Sequence, residues 1–158
     1  MFFWVILMTC TFFGHRDTSM EIEPILRETL LDLIENKNVT LFYVGNNGNF
    51  DYMVRKHLNI LKKEYPFINY IIVLAYMPDK KVKSDYADDF ETIYPEVLEK
   101  APAKFAISKR NKWMIEQSDY VVTYVKHSIG GAAKFKKLAE GKRKEVINIA
   151  EMNFIHSK

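Results

Sequence analysis

The stretch Met1-Phe2-Phe3-Trp4-Val5-Ile6-Leu7-Met8-Thr9-Cys10-Thr11-Phe12-Phe13-Gly14-His15-Arg16-Asp17 decides the fold class. Aromatic, β-branched and bulky residues fill it until Gly14, where charge begins abruptly. An apolar run ended by a glycine is expected of a strand buried on both faces of a parallel sheet. In an open α/β sheet, ligands bind just past the carboxyl ends of the strands, on loops held by the scaffold. Gly14, His15, Arg16 and Asp17 are therefore the first candidate binding residues. The run makes a poor anchor or signal peptide: it is too short to span a bilayer, no basic residue precedes it, and no small-residue cleavage site follows. No membrane association is expected, and a cytoplasmic location is.

With 158 residues, 48% apolar and 14% aromatic, the chain can fill one substantial core, so a single domain over residues 1–158 is expected. A formal net charge of +3 is too mild to mark a nucleic-acid or membrane protein by itself. The lone Cys10 lies within the first strand, where it can form no internal disulfide and serves as a small buried hydrophobe. His15, His57, His127 and His156 show no metal-ligand spacing with each other or with Cys10, so neither a metal nor another cofactor is expected.

Beyond the first loop, Ile22, Ile25, Leu26, Leu30, Leu33 and Ile34 recur at helical spacing, with Ser19 as cap and Pro24 in the first turn. Asn36-Lys37-Asn38 stops that helix, and Val39 to Val44 is a strand ending at Gly45. A strand-helix-strand crossover is right-handed and leaves the two strands parallel, so both send their loops to one edge. The second loop, Gly45-Asn46-Asn47-Gly48-Asn49-Phe50-Asp51, therefore joins the first. Its glycines and asparagines suit either an anion cradle or plain turn chemistry, and it is neither a dinucleotide fingerprint nor a P-loop.

Met53, Val54, Leu58, Leu61 and Tyr65 form a second helical stripe closed by Pro66, and Tyr70 to Ala75 a third strand. Residues 77–104 read as a long irregular insertion, in which Asp88-Asp89 fits a solvated acidic loop better than a metal site. Phe105-Ala106-Ile107 is expected as a short strand or extended approach, Ser108 as a cap, and Lys109 to Gln117 as a helix with Trp113 and Met114 inward. Asp119 to Val125 is the next strand, and His127-Ser128-Ile129-Gly130-Gly131-Ala132 opens a helix that carries Phe135, Leu138 and Ala139 inward and ends at Gly141. Val146 to Ile149 is the last strand. The sum is an α/β chain in three layers, with a mostly parallel sheet of about five strands.

Five motifs in order, Thr11-Phe12-Phe13-Gly14-His15-Arg16-Asp17, Gly45-x-x-Gly48-x-Phe50-Asp51, Arg110-Asn111-x-Trp113-Met114, Ser118-Asp119-Tyr120-Val121-Val122 and Gly130-Gly131-Ala132, resemble the SLOG superfamily. This Rossmann-like group includes the LOG cytokinin-activating hydrolases and the DNA-processing protein of natural competence; within it the chain resembles a short bacterial branch with a Gly-His-Arg first loop. The resemblance covers nearly the whole chain and implies an α/β/α Rossmann-like sandwich that recognises nucleotides or nucleotide-derived molecules at the strand ends. LOG enzymes carry a Pro-Gly-Gly-x-Gly-Thr-x-x-Glu motif whose Glu works in N-glycosidic cleavage. This chain has Ser128-Ile129-Gly130-Gly131-Ala132-Ala133-Lys134-Phe135 there, keeping the phosphate-cradle glycines without the acid, and Glu140 lies too far along to replace it.

Arg16 is expected to pair a phosphate through its planar fork, with His15 donating and Gly130-Gly131 offering amides; the alternative is an ion pair with Asp17 or a helix end. Arg110 and Asn111 either reach the ligand or cap neighbouring loops. Asp51 would face ribose hydroxyls or act as a general base, unless it only stabilises a helix N-terminus, and Glu116 is the second candidate acid. The expected binding set is Gly14, His15, Arg16, Asp17, Gly45, Gly48, Asn49, Asp51, Arg110, Asn111, Ser128, Gly130, Gly131 and Ala132. The expected function is binding or sensing of a nucleotide-derived small molecule, ADP-ribose-like for example; the alternative is a nucleotide N-glycosidic hydrolase or transferase using Asp51 or Glu116. Nucleic acid is not an expected partner: the basic cluster Lys134, Lys136, Lys137, Lys142, Arg143 and Lys144 lacks interleaved aromatics and fits a solvated helix face. The exposed face of the last helix offers a surface for a homodimer.

Overall fold

The computed structural model describes residues 6–77 and 91–152. One sheet of six parallel strands runs in the order β4-β3-β2-β1-β5-β6, with β1 Met8–Gly14, β2 Val39–Val44, β3 Asn69–Val73, β4 Glu91–Ile93, β5 Tyr120–Tyr124 and β6 Glu145–Asn148. Helices α1 Glu23–Asn36 and α2 Gly48–Glu64 pack on one face, α3 Ala106–Glu116 and α4 Gly131–Gly141 on the other. This is the three-layer α/β arrangement expected from the pattern. No helix among the described residues is long and apolar enough to cross a membrane.

The alternation of β1 divides the core. Cys10 and Phe12 join Leu26, Leu30, Leu33, Phe42 and Leu58 under α1 and α2. Phe13 turns the other way and stacks on Phe135 of α4 at 5.4 Å, beside Met114 and Val121. Each fully buried leucine or phenylalanine contributes about 1.5–3 kcal/mol by leaving water, so the central strand is held from both sides. Ser19 accepts a hydrogen bond from the Glu21 amide at 3.2 Å and caps a short 3-10 turn, Met20–Ile22, that leads into α1 with Pro24 in its first turn.

Several elements differ from the sequence expectation. β1 starts only at Met8, which pairs with Val39; before Val39 the chain turns at Asn38, whose φ is 58°, so no partner strand extends further. Ile6 and Leu7 are accordingly exposed, while Phe2, Phe3, Trp4 and Val5 lie outside the described residues. The segment read as an irregular insertion supplies the sixth strand, Glu91-Thr92-Ile93 pairing Ile71-Ile72-Val73 at the sheet edge. Three half-exposed residues beside a charged stretch carry too little alternation to be seen. Asp88 and Asp89 lie outside the described residues. Phe105-Ala106-Ile107 is no strand: a 3-10 turn at Ala103–Phe105, entered through Pro102, runs straight into α3, so Ser108 sits inside the helix instead of capping it. Proline's fixed φ suits the start of such a turn.

β1 lies between β2 and β5. The helix after β1 goes to one face and the helix after β5 to the other, so the two loops part at this point and leave a crevice at the carboxyl edge.

Candidate functional site

β1 ends at Gly14, where a Cβ would stand 2.2 Å from Phe50 Cγ. The missing side chain lets the first turn of α2 rest on the strand end. The next residues are clamped by the second loop: the Asn49 amide donates to Arg16 O at 2.9 Å, Asn49 Nδ2 donates to Thr18 O at 3.4 Å, and Thr18 Oγ1 donates to His15 O at 2.5 Å. Gly48 has φ +87°, and a Cβ there would meet Arg16 Cα at 2.7 Å, so both backbone conformation and close approach require glycine. The Arg16 backbone is thus fixed while its side chain is exposed, with no ion pair to Asp17 or any other described residue.

Asp51, in the first turn of α2, is 8% exposed, and its Oδ2 accepts the Asn47 amide at 3.0 Å. Arg110 of α3 is 3% exposed; Nη1 donates to Asn46 Oδ1 at 3.0 Å and Nε to Asn111 Oδ1 at 3.1 Å. Gly45 lies against both groups, since a Cβ there would be 2.5 Å from Asp51 Oδ2 and 3.4 Å from Arg110 Nη2. Arg110 Nη2 has no hydrogen-bond partner among the described residues. Burial pushes the Asp51 carboxyl up to about 6, against the pull of the Asn47 amide, Arg110 and Arg55. Burial likewise lowers the Arg110 guanidinium from its ordinary value, opposed by Asp51. Each charge is costly to bury, and the two offset each other without a direct ion pair.

These groups surround a cleft of about 200 Å³ at the carboxyl edge. Phe12, Phe13, Met114 and Phe135 give it an apolar floor, and Ile107 flanks it. Arg16, Asn47, Asp51, Arg110 and Asn111 supply polar atoms, and Gly131 and Ala132 bring the start of α4 to the opening. An apolar cavity with few convergent polar groups is the usual form of a ligand site.

Of the residues singled out in the sequence, Gly14, Arg16, Asp51, Arg110, Asn111, Gly131 and Ala132 come together here. Gly45, Gly48 and Asn49 do not line the cleft; they lock the loops that do. His15 faces the β5 side, where Nε2 accepts the Lys126 amide at 3.2 Å and the ring lies 5.7 Å from that of His127. Asp17 is exposed and outside the cleft, Gly130 is exposed with φ +111°, and Ser128 lines a neighbouring cleft. Glu116 is at the far end of α3, its Oε1 held by Lys142 Nζ at 3.3 Å, and does not line the cleft. Asn46 and Asn47 were not among the expected binding residues. Their signal was present, two adjacent amides in a strand-end glycine loop, but such residues equally serve turns.

No family model matches the chain, and no curated protein does. A solved structure of DNA processing protein A from Helicobacter pylori, concerned with its single-stranded DNA binding mode, is similar at TM-score 0.60 and 18% identity, over 88% of this chain and 63% of that one. The fold is Rossmann-like. The chain therefore spans less than two thirds of this neighbour. The neighbour overturns the expectation that nucleic acid is no partner, since a protein of this fold binds single-stranded DNA. That expectation rested on a mild net charge and on a basic cluster, Lys134 to Lys144, without interleaved aromatics. Phosphate recognition built from isolated arginines and helix-start amides at strand ends leaves no charge run to find.

Proposed function

We propose that this protein binds a nucleotide phosphate in the strand-end cleft, with Arg16 and Arg110 approaching it from different elements. Arg110 carries the proposal: a guanidinium 3% exposed, with Nη2 unpartnered among the described residues and only partial relief from Asp51, is completed by an anion. Gly131 and Ala132 add first-turn amides at the positive end of α4. Asp51 is set to accept a ribose hydroxyl. At about 200 Å³ the cleft falls below the roughly 300–1,000 Å³ that encloses a whole small ligand, so it takes the phosphate and sugar and leaves the base outside.

The ordered motifs support a place in the SLOG superfamily and, with it, a nucleotide-derived ligand of ADP-ribose type. A second candidate ligand is a nucleotide within single-stranded DNA, favoured by what the Helicobacter pylori protein binds. N-glycosidic cleavage is the enzymatic alternative, for which Asp51 would be a near-neutral acid or base. Binding is preferred because the residues lining the cleft include no second carboxylate.

Calorimetric titration with thymidine monophosphate, ADP-ribose and a short oligothymidylate tests this. Arg16→Ala and Arg110→Lys should each weaken binding at least about tenfold, the value of one lost charge-assisted contact. Failure of the wild type to bind any of these, or equal binding by both variants, overturns it. Release of free base, abolished in Asp51→Asn, would establish the hydrolase instead.

A further inference from the structure

A second cleft, of about 230 Å³, lies beside the same helix start and is lined by Lys126, His127, Ser128, Lys136, Lys137 and Glu151, among others. Its charge is mainly positive, with Glu151 the opposing carboxylate. Lys136 is engaged by Glu140 at 2.7 Å and Lys126 by the side chain of Tyr124, its ammonium 5.5 Å from that ring, whereas Lys137 makes no ion pair among the described residues. Ser128 and His127 are exposed and add hydrogen-bonding groups. The two clefts are lined by sequence neighbours on either side of the same helix start. Arg16 lines the first, and its neighbour His15 holds the Lys126 amide and packs near His127, which lines the second. Between them the surface is bare: a Cβ on Gly130 or Gly131 would meet nothing within 4 Å.

We propose that this second cleft is a phosphate subsite, and that the ligand carries two phosphate groups, one on each side of the first turn of α4. This rests on the nucleotide reading of the first cleft and deepens it. The two clefts have no lining residue in common, so the phosphates they take occupy separate subsites. Two phosphates carried on one linker, as in successive nucleotides of a strand or a dinucleotide with an extended bridge, suit this arrangement. The small first cleft already requires the ligand to continue outward, and the bare Gly130-Gly131 surface gives it a path.

The test compares wild type, Arg16→Ala and the double variant Lys126→Ala/Lys137→Ala against thymidine monophosphate, a short oligothymidylate and diadenosine tetraphosphate. Both lysines are on the surface, so the fold tolerates their loss. The double variant should bind thymidine monophosphate within about twofold of wild type and lose at least about tenfold toward a two-phosphate probe. Its salt slope toward oligothymidylate should fall by roughly 0.7 per lost phosphate contact, and Lys126→Arg/Lys137→Arg should restore binding. A loss confined to the oligonucleotide assigns the linker to a strand; a loss confined to the tetraphosphate assigns it to a small dinucleotide. If the double variant binds every probe as wild type does while Arg16→Ala weakens them, the second subsite is overturned and the first cleft stands. An equal loss toward the monophosphate also overturns it. If no probe binds, or Arg16→Ala binds the monophosphate normally, both proposals fall.

Discussion

Replacing Asp51 by Asn should make the protein more stable at neutral pH. The carboxyl is 8% exposed, and burial raises it from 3.8 to about 6 in spite of Arg110 nearby. At about 1.4 kcal/mol per pH unit, holding it ionised above pH 7 costs the native state roughly 3 kcal/mol. Asparagine removes the charge and keeps an oxygen for the Asn47 amide, so most of that cost should disappear. For a chain of this length the gain corresponds to a rise in Tm of roughly 6–12 °C. The pH dependence supplies the control. With the folded value above the unfolded one, the native state takes up a proton as pH falls below about 7, while the unfolded chain does so only near pH 4. Wild-type stability should therefore climb through that window as Asp51 protonates, and the advantage of Asp51→Asn should shrink to nothing by pH 4. His57 gives the opposite trend, but both proteins share it, so the difference between their melting curves isolates Asp51. Thermal unfolding followed by circular dichroism from pH 4 to 8 measures this. An equal or lower Tm for the variant at pH 8, or a gain of the same size at pH 4, refutes the account of a carboxylate held at a cost. Such a cost is expected where a group is kept for function.

Gly14→Ala places a Cβ 2.2 Å from Phe50 Cγ, and overpacking of this kind should lower stability by roughly 1–3 kcal/mol; an unchanged urea midpoint would contradict it. Glu116→Gln breaks only an exposed pair with Lys142, so ligand affinity should be unaltered and stability should change by less than about 1 kcal/mol. A tenfold loss of binding would return Glu116 to the site. His57 is buried on α2, its Nδ1 without a hydrogen-bond partner among the described residues and its Nε2 3.5 Å from Glu23 Oε1, and burial holds it below its ordinary value although Glu23 pulls it up. The unfolded chain therefore takes up this proton first, and wild-type stability falls from this source as pH drops below about 6.5. His57→Gln should flatten that decline, and an unchanged acid limb in the pH-stability curve would refute it.

The parallel sheet and its carboxyl-edge loops were legible because apolar runs, helical stripes and glycine stops each have a direct physical cause. β4 was not, because an edge strand of three residues has no buried face to imprint a pattern. Within the candidate site, Arg16, Asp51 and Gly131 could be placed from strand ends alone. The bonds from Arg110 to Asn46 and Asn111 could not: which amide meets the guanidinium depends on the packing of α3 against the loop after β2. His15 and Arg16 are adjacent in sequence yet serve different sides of β1, a split that motif spacing does not resolve.

The central position of β1 has a consequence for biosynthesis. Its Thr9 amide is paired by the Asp119 carboxylate, 110 residues downstream, and its ladder to β5 begins at Cys10 and Tyr120. At translation rates of about 5–20 residues per second, the emerging chain waits on the order of 5–20 s before β5 exists. From the completion of β2 until then, β1 has one unsatisfied backbone edge. The nascent protein is therefore most prone to aggregate between the completion of β2 and the appearance of β5, and a chaperone shielding that edge would act early, well before the last helix is made.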